Sequence, residues 1–288
     1  MLRRSKLFCP GSRPDMIPKA AGGAADMVVL DLEDAVREAD KASARNHVRS
    51  ALTALDFGRK ERGVRINGLE TVHWFDDLAG VFCRELDVVH VPKAGGPRDI
   101  WVVEAVLADL ERKAGRQQPV RIIPTLETAT GLEHARTIAG CSPRIAAVQF
   151  GLGDLVAGLG LVPAPHRLAY YRTQVVLAAH AAGVQALDTV FFDIKDAAGY
   201  RADAEEARGC GMRGKSCVHP AQVGLANTVF SPTPGEIERA RSILAAYDAA
   251  QAQGLGAVAF QGRMIDRPVA AEARSLLALA SELHPEER

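Results

Sequence analysis

Apolar residues in this chain come as short continuous runs, separated by longer stretches where they recur every three or four positions. The runs fall at Lys6–Cys9, Met27–Leu32, Gly63–Asn67, Val88–Val91, Arg121–Leu126, Ala146–Phe150, Gln185–Val190 and Lys215–Val218. Near-continuous apolarity over so few residues is what a parallel strand covered on both faces requires. Helix-length segments lie between them, such as Trp101–Lys113 and Tyr170–Ala182. Eight strands, each followed by room for a helix, predict an α/β chain folded as a (β/α)8 barrel of the TIM type. An open doubly wound sheet is the alternative.

The rhythm changes near residue 231. Pro232-Thr233-Pro234-Gly235 reads as a turn that opens a helix over Glu236–Ala252. A small apolar stretch, Gly254–Phe260, and a last helix over Val269–Leu283 follow. The expected organisation is a catalytic barrel over 1–231 and a C-terminal helical extension over 232–288, placed as a lid.

Composition narrows the class. With 288 residues and 48% hydrophobic positions, the chain can build one barrel with a large core. Lys+Arg and Asp+Glu both number 35, so the basic excess of a nucleic-acid binder is missing and a small molecule is the expected partner. Cys9, Cys83, Cys141, Cys210 and Cys217 are odd in number and scattered, which fits neither a disulfide framework nor a zinc motif. They read as free thiols in a reducing cytoplasm. The apolar run before Pro10 is too short for a signal peptide, and none is long enough to span a bilayer. A soluble cytoplasmic protein is expected.

Catalysis in such barrels sits at the C-terminal ends of the strands. There the sequence places Asp31-Leu32-Glu33-Asp34, Arg65 with Asn67, Pro92-Lys93, Glu127-Thr128, Gly151-Leu152-Gly153-Asp154 and His219-Pro220. Carboxylates gathered at one rim repel each other unless positive charge lies between them. An all-oxygen set suits Mg²⁺. Glu127 and Asp154, on adjacent strand ends, are the expected ligand pair. Salt bridges, or a helix cap at Asp154, are the competing roles. The planar fork of Arg65 suits carboxylate recognition, and Asp31, Glu33 and Asp34 are placed to hold it. Phe8, Arg13 and Lys19 offer an aromatic face and two cations to an adenine and a phosphate, or are ordinary solvated surface. Lys93 and Lys215 read as solvated or structural, and His219 as a satisfied barrel-end histidine.

These residues form a series. Leu7-Phe8-Cys9-Pro10-Gly11-Ser12 resembles L-F-x-P-G-S, Leu30-Asp31-Leu32-Glu33-Asp34-Ala35-Val36 resembles L-D-L-E-D-x-V, and Val64-Arg65-Ile66-Asn67 resembles V-R-x-N. Pro92-Lys93, Glu127-Thr128-Ala129 and Phe150-Gly151-Leu152-Gly153-Asp154-Leu155 follow in order. Gly214-Lys215-Ser216-Cys217-Val218-His219-Pro220-Ala221-Gln222 and Gly262-Arg263-Met264-Ile265-Asp266 complete it. Taken together they resemble the citrate lyase beta subunit group, with its malyl-CoA and citramalyl-CoA lyases, within the HpcH/HpaI aldolase superfamily.

The resemblance implies a Mg²⁺-dependent carbon–carbon lyase acting on a 3-hydroxyacyl-CoA. It implies Mg²⁺ on Glu127 and Asp154, Arg65 on the oxo-acid portion, and Phe8, Arg13 and Lys19 around coenzyme A. It further implies trimers or hexamers in which Asp266 reaches a neighbouring subunit's site as general acid/base. Three alternatives stand beside it: a beta subunit of a multi-subunit citrate lyase complex acting on a carrier-bound thioester, a CoA-free pyruvate aldolase, and a synthase that condenses acetyl-CoA with an oxo acid and then hydrolyses the product thioester.

Overall fold

A computed structural model describes residues 1–160, 162 and 165–283. It divides into two compact units, Met1–Phe230 and Ser231–Arg288.

The first unit alternates strands and helices. Its strands are β1 (Ser5–Pro10), β2 (Met27–Asp31), β3 (Glu61–Arg65), β4 (Val88–Val91), β5 (Arg121–Leu126), β6 (Ala147–Phe150), β7 (Gln185–Leu187) and β8 (Lys215–Cys217). Its helices are α1 (Ile17–Ala21), α2 (Lys41–Ala54), α3 (Trp74–Val81), α4 (Pro97–Ala114), α5 (Ala129–Glu133), α6 (Ala135–Gly140), α7 (Gly153–Leu159), α8 (Pro165–Ala182), α9 (Ala197–Gly209) and α10 (Pro220–Val229).

The strands pair in parallel in the order β7-β6-β5-β4-β3-β2-β1-β8. A parallel bridge between Asp188 and Lys215 joins the two ends. Across it, the Asp188 amide donates to the Gly214 carbonyl at 2.7 Å, and the Ser216 amide donates to the Asp188 carbonyl at 3.1 Å. The sheet is therefore a closed barrel, not an open doubly wound sheet.

Alternation along each strand makes two cores. Leu7, Val28, Leu30, Val64 and Val89 face outward into the layer shared with the helices. Met27, Val29, Val88, Ile123 and Leu187 form a smaller inner cluster, with Phe8 packed against it. The inner layer also holds charge and polarity. Lys6 and His90 are fully buried, and Lys6 Nζ and both His90 ring nitrogens have no hydrogen-bond partner among the described residues. Burial, and then Arg65, drives the Lys6 pKa well down; burial, and then Lys6, does the same for His90.

Several ends follow local rules. Pro220 opens α10, and His219 Nδ1 accepts from the Ala221 amide at 3.2 Å. His219 is thus the satisfied barrel-end residue expected. Lys215 is structural but wholly buried, 2.6 Å from Asp188 Oδ2 and 2.6 Å from Asp203 Oδ2.

The second unit holds α11 (Pro234–Ala252), an antiparallel pair β9 (Val258–Phe260) and β10 (Arg263–Ile265), and α12 (Arg267–Leu283). Thr233 and Glu236 cap α11 reciprocally: the Thr233 hydroxyl accepts from the Glu236 amide, and the Glu236 carboxylate from the Thr233 amide. The hairpin occupies the stretch between the two expected helices, where the sequence showed only small apolar residues and a glycine turn. No helix among the described residues is long and apolar enough to cross a membrane.

Candidate active site

The rim at the C-terminal ends of the strands encloses a cavity of about 410 Å³, lined from every strand end but that of β4. Phe8, Asp31, Asp34, Arg65, Glu127 and Asp154 all line it.

Arg65 ends β3 beside Asp31, its register partner at the end of β2. Arg65 Nε and Nη2 donate to the two Asp31 carboxylate oxygens, each at 2.7 Å. Arg65 Nη1 lies 2.8 Å from Glu33 Oε2 and 4.0 Å from Asp34 Oδ2. Burial alone would lower the pKa of Arg65, but Asp31 and Glu33 outweigh it and hold the guanidinium charged. The guanidinium sits 5.1 Å from the Phe8 ring centroid. Asp31 is itself fixed, accepting the Glu33 amide at 3.0 Å. Asn67 steadies the same loop through the Leu32 carbonyl at 3.0 Å.

Glu127 follows β5 and is almost fully buried. Its Oε1 accepts the Lys93 amide at 2.8 Å. Burial, and then the neighbouring Glu33, push its pKa up to about 7, against the pull of the Lys93 amide and Arg65. Gly151 makes room for it. A Cβ on Gly151 would stand 2.5 Å from Glu127 Cβ and 2.6 Å from Glu127 Oε2. No residue with a side chain fits there without moving that carboxylate.

Asp154 sits in the first turn of α7, where a carboxylate is favoured by the helix dipole. It does not cap that helix: the cap position is Leu152, without a side-chain bond. Thr128 caps the neighbouring α5, accepting the Gly131 amide at 3.0 Å.

Lys93, read from the sequence as solvated or structural, stands among the rim carboxylates. Its backbone is left-handed, with φ at 51°. Its Nζ reaches Glu33 Oε1 at 2.9 Å, Asp154 Oδ2 at 3.6 Å and Asp34 Oδ1 at 4.0 Å. Burial opposes its charge, but the hydrogen bond to Glu33 and the surrounding carboxylates raise its pKa. Glu33, in turn, is raised by burial against the pull of Arg65 and Lys93.

The donors fit a hard cation. Glu33, Asp34 and Asp154 each offer a carboxylate oxygen within 4.8 Å of the others, and Glu127 adds charge beside them. The Lys93 ammonium already reaches into this set, so the position favours positive charge. No nitrogen or sulfur ligand stands among these donors, which points to Mg²⁺ before zinc.

Two expected groupings divide. Phe8 faces the barrel interior under Arg65, with Lys6 Nζ 5.1 Å from its ring centroid. Arg13 and Lys19 lie outside that cavity, on the β1–α1 connection and on α1. Strand alternation explains the separation, because Phe8 is an inward position of β1. Arg13 is exposed and ion-paired with Asp15 at 2.9 Å. Asp266 belongs to the second unit, between β10 and α12, where its Oδ1 accepts the Val269 amide at 3.3 Å.

A parallel eight-stranded barrel with a carboxylate-rich, arginine-bearing rim defines an α/β barrel enzyme of the oxygen-ligand metal type. Residues 4–220 match the family described as HpcH/HpaI aldolase/citrate lyase. The chain belongs to that family, and it is a carbon–carbon lyase. It is similar to the L-malyl-CoA/beta-methylmalyl-CoA lyase of Cereibacter sphaeroides, 38% identical over 91% of this chain and 90% of that one. It is also similar to the citrate lyase subunit beta of Leuconostoc mesenteroides subsp. cremoris, 35% identical over 98% and 95%. Among solved structures, CitE from Mycobacterium tuberculosis, in complex with magnesium, acetoacetate and coenzyme A, superposes with a TM-score of 0.77. That protein is 34% identical, over 96% of this chain and 97% of that one.

Proposed function

We propose that this chain is a Mg²⁺-dependent lyase that splits a 3-hydroxyacyl-CoA carrying a carboxylate on its carbinol carbon. The products are an acyl-CoA, such as acetyl-CoA, and a 2-oxo acid; condensation is the reverse. Malyl-CoA, citramalyl-CoA and citryl-CoA are the candidate substrates. The observation that carries this reading is the meeting of Arg65, Glu127 and Asp154 in one cavity.

Glu127 and Asp154 would hold the metal, with Glu33 and Asp34 as supporting charge. When bound, Mg²⁺ stabilises negative charge on the oxygen next to the scissile bond. Arg65 binds the oxo-acid carboxylate with a guanidinium already fixed by Asp31, so little reorganisation accompanies the reaction. Phe8 backs that guanidinium. Arg13 and Lys19 attract the coenzyme A phosphates at the outer surface.

Asp266 gives a proton to the enolate carbon during cleavage and removes it during condensation. It does so from a neighbouring copy, in a homotrimer whose second unit serves as a lid. The five free cysteines fit work in the cytoplasm.

The test is release of oxo acid from malyl-CoA, methylmalyl-CoA, citramalyl-CoA and citryl-CoA, with Mg²⁺ and with EDTA. EDTA-sensitive release from at least one is expected, and Glu127→Ala should weaken Mg²⁺ binding. Absence of release from all four would overturn the reading. The likeness to the Leuconostoc subunit favours one second reading, action on a carrier-bound thioester. Co-purification with alpha-like and carrier subunits would support it.

A further inference from the structure

A second, larger cavity of about 860 Å³ adjoins the reaction cavity within the barrel unit. Leu152, Gly153, Val190 and Phe192 line both. Past them its walls are apolar, from Val156, Leu168 and Phe191. Phe192 stands between the two spaces and is 65% exposed, so its ring is not locked into the core. A Cβ on Gly153 would come within 3.7 Å of Phe192 Cζ, which shows how near the ring lies to the start of α7.

The charged part of the cavity lining limits what can enter. Asp193, Asp196, Asp203 and Glu206 stand there. Asp203 and Glu206 are turned to Arg172, at 2.7 and 3.8 Å. An acidic lining repels carboxylates and phosphates. The coenzyme A phosphates and a second substrate carboxylate are therefore poor occupants. An uncharged hydrocarbon arm suits the apolar walls and is indifferent to those charges.

We infer that this side cavity receives an uncharged alkyl branch longer than methyl, borne next to the scissile bond, and that Phe192 sets the length admitted. The inference rests on the proposed lyase reading and extends its substrate class beyond the methyl branch of methylmalyl-CoA and citramalyl-CoA. The substituent belongs either to the acyl group, at the carbon that becomes the enolate, or to the oxo acid.

Both sources are separable in the condensation direction with Mg²⁺. One series keeps glyoxylate and lengthens the thioester from acetyl-CoA through propionyl- and butyryl- to hexanoyl-CoA. The other keeps acetyl-CoA and lengthens the oxo acid from glyoxylate through pyruvate and 2-oxobutyrate to 2-oxohexanoate. In one series kcat/KM should be sustained or rise, by up to about fourfold for each methylene buried. In that series Phe192→Ala should extend the length accepted. Val156→Trp, which fills the cavity, should cut the longest substrate at least tenfold and leave acetyl-CoA with glyoxylate unchanged. Ala202→Phe, on the exposed face of α9, should act in the same direction without touching the core. A collapse of both series beyond propionyl-CoA and pyruvate, with normal turnover of the smaller members, overturns the inference and leaves the lyase reading intact. Failure of every pair removes the lyase reading instead. Saturation-transfer NMR with hexan-1-ol then decides the cavity alone. Binding to the wild type and not to Val156→Trp supports it, and absence of binding to the wild type overturns it.

Discussion

Lys93 meets the carboxylates of the rim from both ends: its backbone amide binds Glu127 Oε1 at 2.8 Å while its ammonium lies 3.6 Å from Asp154 Oδ2. One residue therefore fixes the position of one expected metal ligand and offsets the charge of the other. The ammonium and a divalent cation compete for the same negative field. Lys93→Gln keeps the amide contact and removes the competing charge. It should bind Mg²⁺ several-fold more tightly, as read by isothermal titration calorimetry. Weaker binding would show that the ammonium helps to build the site instead.

Gly151 is a steric requirement, not a flexible joint. Gly151→Ala must displace the Glu127 carboxylate or its backbone, at a cost of about 1–3 kcal/mol in folding stability. Mg²⁺ affinity should fall together with the melting temperature. A variant with normal metal affinity would show that the strand gives way and the carboxylate does not.

Asp266→Asn preserves shape and removes the proton-carrying group. Mg²⁺ and thioester binding should remain near wild type, while turnover falls by at least about 10²-fold. Turnover near the wild-type rate removes Asp266 from the chemistry and leaves it only its bond to the Val269 amide.

Glu111 provides a pH signature away from the site. It accepts from Arg144 Nη1 at 2.7 Å and Nη2 at 2.6 Å, and from the Val120 amide at 2.6 Å. Burial raises its pKa, but these donors outweigh burial and leave it below the usual carboxylate value. A depressed folded-state pKa means the contribution is complete above the unfolded value, about 4.3, and is lost as pH falls through the folded one. Glu111→Gln should cost roughly 1–3 kcal/mol at neutral pH. The gap from wild type should narrow below about pH 4.3. Urea melts at the two pH values measure it, and a gap that stays constant would assign the loss to packing.

The barrel was legible because its strands are buried on both faces. Val88–Val91 and Arg121–Leu126 stand where the apolar runs place them. β7 was read too long, since Asp188 leaves the ladder after Leu187 to make the closing bridge. The rim carboxylates and Arg65 were readable because strand ends are where such barrels keep chemistry. Lys93 was placed at the rim but read as solvated or structural, because nothing local in Pro92-Lys93 encodes a left-handed backbone or a partner sixty residues away. The grouping of Phe8 with Arg13 and Lys19 came from nearness in sequence and from the resemblance; Phe8 lines the rim cavity, and Arg13 and Lys19 lie outside it.

The join between β7 and β8 has few backbone hydrogen bonds and many charges. Beside the Asp188–Lys215 bridge, Arg172 reaches Asp188 at 2.9 Å and Asp203 at 2.7 Å, while Lys215 holds the same two carboxylates. Arg172, Asp188 and Lys215 are closed to solvent. The cylinder is thus fastened along its last edge by an ionic clasp kept dry. Mobile ions in the solvent reach such a clasp poorly, so dissolved salt that slackens pairs on the outer surface leaves this edge shut. The loss of any one member leaves an uncompensated charge indoors, which makes this edge the place where a single substitution would unfasten the ring.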